Sequence, residues 1–198
     1  MIKQSKLLIK VYGFLIGIIT LFSPVLASKI RYRISMGKKL NLDNPRGFNE
    51  KMMWLNLFWQ DPLKTKCADK YLVRDYVKEK GCGEILNPIY GVYKYPDEIN
   101  WEDLPDKFVL KSTYGSGRNI ICTDKNKLDK KKTKKTLKKW LSPKILNTTA
   151  QMHYSQKTNV IICEKYIETP DGKPPTDYKF YCVNGEPKIM LAIEDRDN

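Results

Sequence analysis

Lys107-Phe108-Val109-Leu110-Lys111-Ser112-Thr113-Tyr114-Gly115-Ser116-Gly117-Arg118-Asn119-Ile120-Ile121-Cys122 is the stretch on which the reading of this chain turns. An apolar run ends in a lysine, a short glycine loop follows, and a second apolar run begins. The pattern predicts strand, loop, strand, with a cation at the mouth of the loop. Glycines on both sides of Ser116 accept positive φ, so successive backbone N–H groups can turn inward around an anion. Lys111 closes its strand as a compact positive charge suited to phosphate oxygens. A Walker A loop is excluded, because that motif spaces its glycines by four residues and runs into a helix. A plain hairpin with a glycine turn accounts for the same residues, so at this point both readings stand.

The whole chain bounds the choice. It has 198 residues, enough for one ordinary domain or slightly more, and 36 Lys and Arg against 22 Asp and Glu leave it at +14. That excess favours an anionic partner. Ten lysines fall between Lys125 and Lys144, with Asp129 the single acid among them. No nucleic-acid motif or arginine-rich arm accompanies them, so nucleic acid is set aside as a partner. No two of the five cysteines form a C-x-x-C pair. Cys122, Cys163 and Cys182 lie in strand-like runs, where a free cysteine acts as a small buried hydrophobe. Odd number and placement together point to a reducing compartment. His153 is the sole histidine and has no cysteine pair near it, so no metal site is predicted and His153 reads as a surface or packing residue.

From the N-terminus, Lys3, Lys6 and Lys10 precede eighteen uncharged residues, Val11 to Ser28, and then Lys29, Arg31 and Arg33. That length is at the short edge of a membrane span, which takes roughly 17–25 residues. A signal peptide, a membrane anchor and a helix packed on the body or lying on a membrane surface compete. Pro24 breaks a simple span near its end, which favours the last. Residues 31–47 read as a connector. A helix is expected from about Phe48, with Phe48, Met52, Leu55 and Phe58 or Trp59 on one face, and a second from Thr65 to Glu79, stopped by Gly81 and Gly83. Leu86 to Tyr93 is extended. Asp129 caps a helix running to Trp140, whose Leu137, Trp140 and Leu141 face inward beneath a lysine-covered surface. Residues 142–158 read as loop and Asn159 to Ile167 as a buried strand. Asn184-Gly185 joins two alternating runs, 177–183 and 187–193, as the best hairpin signal in the chain.

In order along the chain, these pieces resemble the TupA-like branch of the ATP-grasp superfamily. The resemblance is carried by Asn44-Pro45-Arg46-Gly47-Phe48-Asn49-Glu50-Lys51, Trp54-Leu55, Asp61-Pro62, Ala68-Asp69-Lys70-Tyr71 with Val73-Arg74, and Gly91-Val92-Tyr93. It continues through Phe108 to Lys111, Gly115 to Gly117, Glu164-Lys165-Tyr166 and Asp177 to Phe180. No single motif is specific; the ordered set across residues 31–196 is. The resemblance implies an α+β, ATP-grasp fold in which two antiparallel sheet subdomains with flanking helices clamp ATP. The expected division is a hydrophobic helix at 1–30, a helical region at 31–105, a first sheet subdomain at 106–158 and the start of the second at 159–198.

The resemblance also implies roles. Lys111 meets the α/β-phosphates and the loop of Gly115, Ser116 and Gly117 closes over the β/γ-phosphates. Lys70 is a second cation near the nucleotide. Glu164, Lys165, Tyr166 and Ile167 form the adenine hinge, Asp177 holds ribose hydroxyls, and Lys179 points at phosphate. ATP and Mg²⁺ are the implied cofactors. The late acidic strand that holds Mg²⁺ in such enzymes has no counterpart before residue 198, and Asp195 and Asp197 come too early to match it. The expectation is therefore a fragment or truncated product, an ATP-dependent ligase when complete, with its metal ligands beyond residue 198. Members of the family occur in gene clusters for cell-surface polysaccharide, which implies an anionic or sugar-derived acceptor and a place at the cytoplasmic face of the inner membrane. Two other functions remain open: a glycosyltransferase of capsule or exopolysaccharide synthesis that uses a nucleotide sugar, and a non-catalytic relic that holds polyanion through its lysine helix.

Overall fold

The computed structural model describes residues 6–142 and 159–194. His153, Asp195 and Asp197 lie outside the described residues, as does most of the loop expected over 142–158. Among the described residues the architecture is α+β, with six α-helices and two antiparallel sheets.

Helices α1 (Lys6–Phe22) and α2 (Pro24–Met36) replace the single N-terminal helix expected from hydropathy. Pro24 carries no N–H and so opens a new helix, and Ser23 caps it by accepting from the Leu26 N–H at 3.1 Å. The turn lets α1 and α2 pack on each other, and α2 runs on into what the sequence suggested was a connector. No described helix is long and apolar enough to cross a membrane. A small cluster of Tyr32, Leu40 and Leu42, joined by Val25, Met53 and Leu57, fixes α2 against α3 (Phe48–Phe58). The packed side of α3 thus runs through Met53 and Leu57. The stripe expected to face inward does not: Phe48, Met52 and Phe58 are exposed. The helix expected over 65–79 is also two, α4 (Pro62–Ala68) and α5 (Val73–Glu79), because the buried Asp69 side chain interrupts the ladder and accepts from the N–H groups of Tyr71 and Leu72 at 2.7 and 2.9 Å.

The first sheet contains β1 (Ile89–Tyr93), β2 (Phe108–Ser112), β3 (Asn119–Cys122) and β4 (Ile161–Lys165) in the order β1-β4-β2-β3, antiparallel throughout. The sequence division assigned β4 to the second subdomain. It is instead a central strand of the first, and the boundary between sheets falls after Lys165. Ile161 to Glu164 are all buried, as expected of a strand with a neighbour on each edge and material on both faces. One face of the sheet builds the main core: Phe108, Leu110, Cys122, Ile161 and Cys163 meet Ile99, Trp101 and Leu104, and α6 (Lys130–Leu141) lays Leu137 across them. Asp129 caps α6 as predicted, accepting from the Lys132 N–H at 2.8 Å. Full burial of a leucine such as Leu137 contributes about 1.5–3 kcal/mol.

The second sheet is the predicted hairpin, β5 (Asp177–Val183) and β6 (Glu186–Ile193), turning at Asn184 (φ 52°) and Gly185 (φ 81°). Cys182 was expected to be buried in it. It is exposed, because neither face of the hairpin is covered among the described residues.

Candidate functional site

The site is built on the face of the first sheet opposite the core. Alternation along β2 sends Phe108, Leu110 and Ser112 inward and leaves Val109 and Lys111 on the other side. Register then supplies the partner. Val109 lies opposite Glu164 and Lys111 opposite Ile162, so Glu164 shares the face of Lys111 one step along. Their side chains meet, Lys111 Nζ to Glu164 Oε2, at 2.6 Å, with the carboxylate side chain only 10% exposed. A carboxylate this deep requires a charged donor beside it, and Lys111 is that donor.

Lys70 reaches the same place from the segment between α4 and α5. Its backbone N–H donates to the Thr113 carbonyl at 3.2 Å, and its Nζ donates to the Gly115 carbonyl at 2.7 Å. The Asp69 turn holds it there. Burial lowers the Lys70 pKa below the usual lysine value, and the like charge of Lys111 pushes the same way; Asp69 and Glu164 oppose them in part.

The loop itself departs from β2 at Thr113 and returns at Arg118. Gly115 (φ 81°) and Gly117 (φ 68°) both take the left-handed conformation that L side chains resist. Ser116 and Gly117 are exposed at the tip. The base of the loop is fastened to the end of α6: Arg118 Nη1 and Asn159 Nδ2 each donate to the Trp140 carbonyl at 2.9 Å. A guanidinium also suits a helix C-terminus, where the last carbonyls carry partial negative charge.

Of the residues singled out in the sequence, Lys70, Lys111, Gly115 and Glu164 are thus gathered into one cluster, with Ser116 and Gly117 on the adjoining tip. Lys165 follows on β4, but its N–H donates to the Pro88 carbonyl at 2.9 Å and its carbonyl accepts from Asn87 Nδ2 at 2.8 Å. Its main chain is therefore engaged within the protein, and a base-reading edge there would rest on Tyr166 and Ile167. Asp177 and Lys179 sit on the separate hairpin, where Lys179 pairs with Asp177 at 3.2 Å. Sequence reasoning missed Arg118, for which the signal was a cation directly after Gly117. It also missed the relay in which Arg74 donates to the Asn87 carbonyl at 2.8 Å while Asn87 holds Lys165. That relay joins residues far apart in the chain and leaves no local trace.

The geometry is a glycine loop over a sheet face, with two lysines converging on it and one buried acid between them. The ordered motifs placed Glu164 at the adenine hinge, whereas here it sits within β4, paired with Lys111. A comparison with known families finds that the model for TupA-like ATPgrasp matches residues 50–196. The chain belongs to the TupA-like ATP-grasp family. No curated protein and no solved structure matches it.

Family membership makes this an ATP-grasp-type protein and implies ATP and Mg²⁺ as its general ligands. The residues present suit the nucleotide. Lys70, Lys111 and Arg118 outnumber Glu164 at the loop, which leaves a surplus of positive charge beside backbone that can turn its N–H groups toward phosphate. For the metal, no group of three or more His, Cys, Asp or Glu side chains converges among the described residues. Much of the family signature has a structural explanation. Glu50 accepts from the N–H groups of Arg46 and Gly47, both at 3.0 Å, and so closes the loop that precedes α3. Those two hydrogen bonds hold its carboxyl below the usual range.

Proposed function

We propose that this protein binds ATP at the Lys70–Lys111–Glu164 cluster and activates a carboxylate as an acyl phosphate for attack by an amine or other nucleophile, in the making of a cell-surface polymer. The carrying observation is the Lys111–Glu164 pair at 2.6 Å on the sheet face opposite the core, beside a glycine loop that Lys70 holds by its Gly115 carbonyl. In this reading the ion pair keeps Lys111 oriented until phosphate oxygens take over its Nζ. Lys70 exchanges the Gly115 carbonyl for phosphate as the loop closes. Such a site accelerates the reaction by positioning and charge neutralisation, so the loss of one lysine should cost orders of magnitude in turnover. Asp177 as a ribose ligand, Lys179 as a phosphate ligand and Tyr166–Ile167 as the adenine edge belong to the same proposal. An anionic acceptor is supported by α6, where Lys131, Lys132, Lys135 and Lys139 line one side. Lys130, Lys134 and Lys138 are paired with Glu102 and Asp97 on the other.

The test is a thermal melt of the full chain with and without Mg·ATP, beside Lys111→Ala. At one hundred times Kd the ligand should add about 2.7 kcal/mol to the wild type and almost nothing to the variant. An equal shift in both proteins would overturn the site. Stabilisation by a nucleotide sugar without any response to ATP would favour the glycosyltransferase reading instead.

A further inference from the structure

The N-terminal helical hairpin is built inside out. Among the buried residues of α1 and α2, Gly17, Thr20, Ala27 and Ser28 are small or polar, while Ile16 and Tyr32 are large. Thr20 satisfies its hydroxyl on its own helix, donating to the Ile16 carbonyl at 2.7 Å. Most of the other large apolar side chains of α1 are exposed, although Ile18 and Ile19 are half-buried. Leu8, Val11, Phe14, Leu15 and Phe22 fall within about 120° of one face at 100° per residue, and they are 47–86% exposed, Phe22 the most. A helix pair in water buries its large apolar side chains; one that packs through small residues and presents leucine and phenylalanine outward suits a lipid environment.

Charge says which surface covers that face. The first 42 residues hold eight Lys and Arg and no Asp or Glu. On α2, Lys29 and Arg33 are exposed beside Leu26 and Ile34, an arrangement that lets long basic side chains reach headgroups while their stems lie along apolar surface. Two copies of the hairpin set face to face would bring like charges together; an anionic bilayer would neutralise them. Length sets the depth. The 17 residues of α1 extend only about 25 Å, short of a hydrocarbon core of about 30 Å, and the helix is broken at Ser23-Pro24.

We infer that α1 and α2 form a monotopic anchor that lies in the interface of an anionic bilayer, with the Leu8–Phe22 face of α1 in the acyl boundary and Lys29 and Arg33 at the headgroups. This anchor is independent of the nucleotide site and holds the protein on a membrane surface without crossing it.

Vesicle flotation of the full chain tests it, with vesicles of phosphatidylcholine alone and of an equal mixture with phosphatidylglycerol. The wild type should bind the mixed vesicles about tenfold or more tightly than the neutral ones. Phe14→Ser with Phe22→Ser should weaken binding to both compositions at least about tenfold. Lys29→Glu with Arg33→Glu should abolish the preference for the anionic mixture. All four side chains are exposed, so the melts of both variants should match that of the wild type. Failure of the wild type to float would overturn the proposal, and so would equal binding to the two compositions. Self-association in sedimentation equilibrium that the serine variant removes, without vesicle binding, would assign the face to a second copy and overturn it as well.

Discussion

The two sheets of this protein are made from similar sequence and have opposite surroundings. β2 and β4 of the first sheet are sealed on one face by α6 and by the Ile99–Leu104 segment, so Leu110, Ile161 and Cys163 show no exposure. β5 and β6 are as rich in apolar residues, yet Phe180, Ile189 and Met190 are 55–65% exposed. The difference teaches that strand pairing and core formation are separate events. A hairpin needs only a turn of the right hand and two compatible edges, both of which Asn184-Gly185 and its flanks supply. A core needs a second layer, and among the described residues only the first sheet has one.

That contrast can be broken most directly by truncation. Leu110→Ala should destabilise the protein by about 2–5 kcal/mol, whereas Ile189→Ala should stay within about 0.5 kcal/mol. Urea melts of the two variants measure both, and a comparable loss at Ile189 would mean that the hairpin face is covered in solution. Gly91→Ala sharpens the comparison within the first sheet. Gly91 sits at the irregularity in β1, and the Tyr93 ring and hydroxyl occupy the space its Cβ would need. Tyr93 is packed against the core and cannot swing away freely, so a loss of about 1–3 kcal/mol is expected.

The cysteines report the same contrast chemically. Burial raises the Cys163 thiol to about 12 and pushes Cys122 up as well, while Cys182 is exposed on the hairpin. Under native conditions a thiol reagent should modify Cys67, Cys82 and Cys182 and spare Cys122 and Cys163 until the protein unfolds. The sign for stability follows: the unfolded thiol ionises near 9 and the folded Cys163 thiol near 12, so its contribution is intact below pH 9 and is lost as pH rises toward 12. The smallest effect concerns Lys70. Its depressed pKa means that the folded protein holds the charged form less well, and phosphate would restore it. Nucleotide binding should take up protons at alkaline pH and weaken as pH rises through the lowered Lys70 value. Calorimetry in buffers of different ionisation enthalpy would detect the uptake, and Lys70→Arg should remove it.

Much of the fold was legible because its signals are local. The capped lysine helix, the glycine loop and the hairpin each occupy a short window, and each appears where its residues place it. The errors have local causes too, and they share a form. Asp69 interrupts a stretch of good helix formers because its carboxylate outcompetes the backbone ladder. On α3, apolar residues on nearly every side of the helix let Met53 and Leu57 take the packed position that periodicity had assigned to Met52. In the site, Lys111 and the loop could be read from one stretch. Glu164 and Lys70 were named only through the ordered motifs, and Arg118 not at all.

What the sequence determined by itself is the set of short-range structures and the charge of the surfaces, because caps, turns and periodicities are decided within a few residues. What only the tertiary structure decided is who meets whom. β4 enters between β1 and β2 across a long separation, and that insertion alone brings Glu164 to Lys111, 53 residues away. Lys70 finds the Gly115 carbonyl 45 residues downstream in the same way. The closure entropy of such contacts grows slowly with loop length, so no short window favours one distant partner over another. The choice falls to the burial of Leu110, Ile161 and Cys163 in a common core, and the site is assembled on the reverse face of that packing.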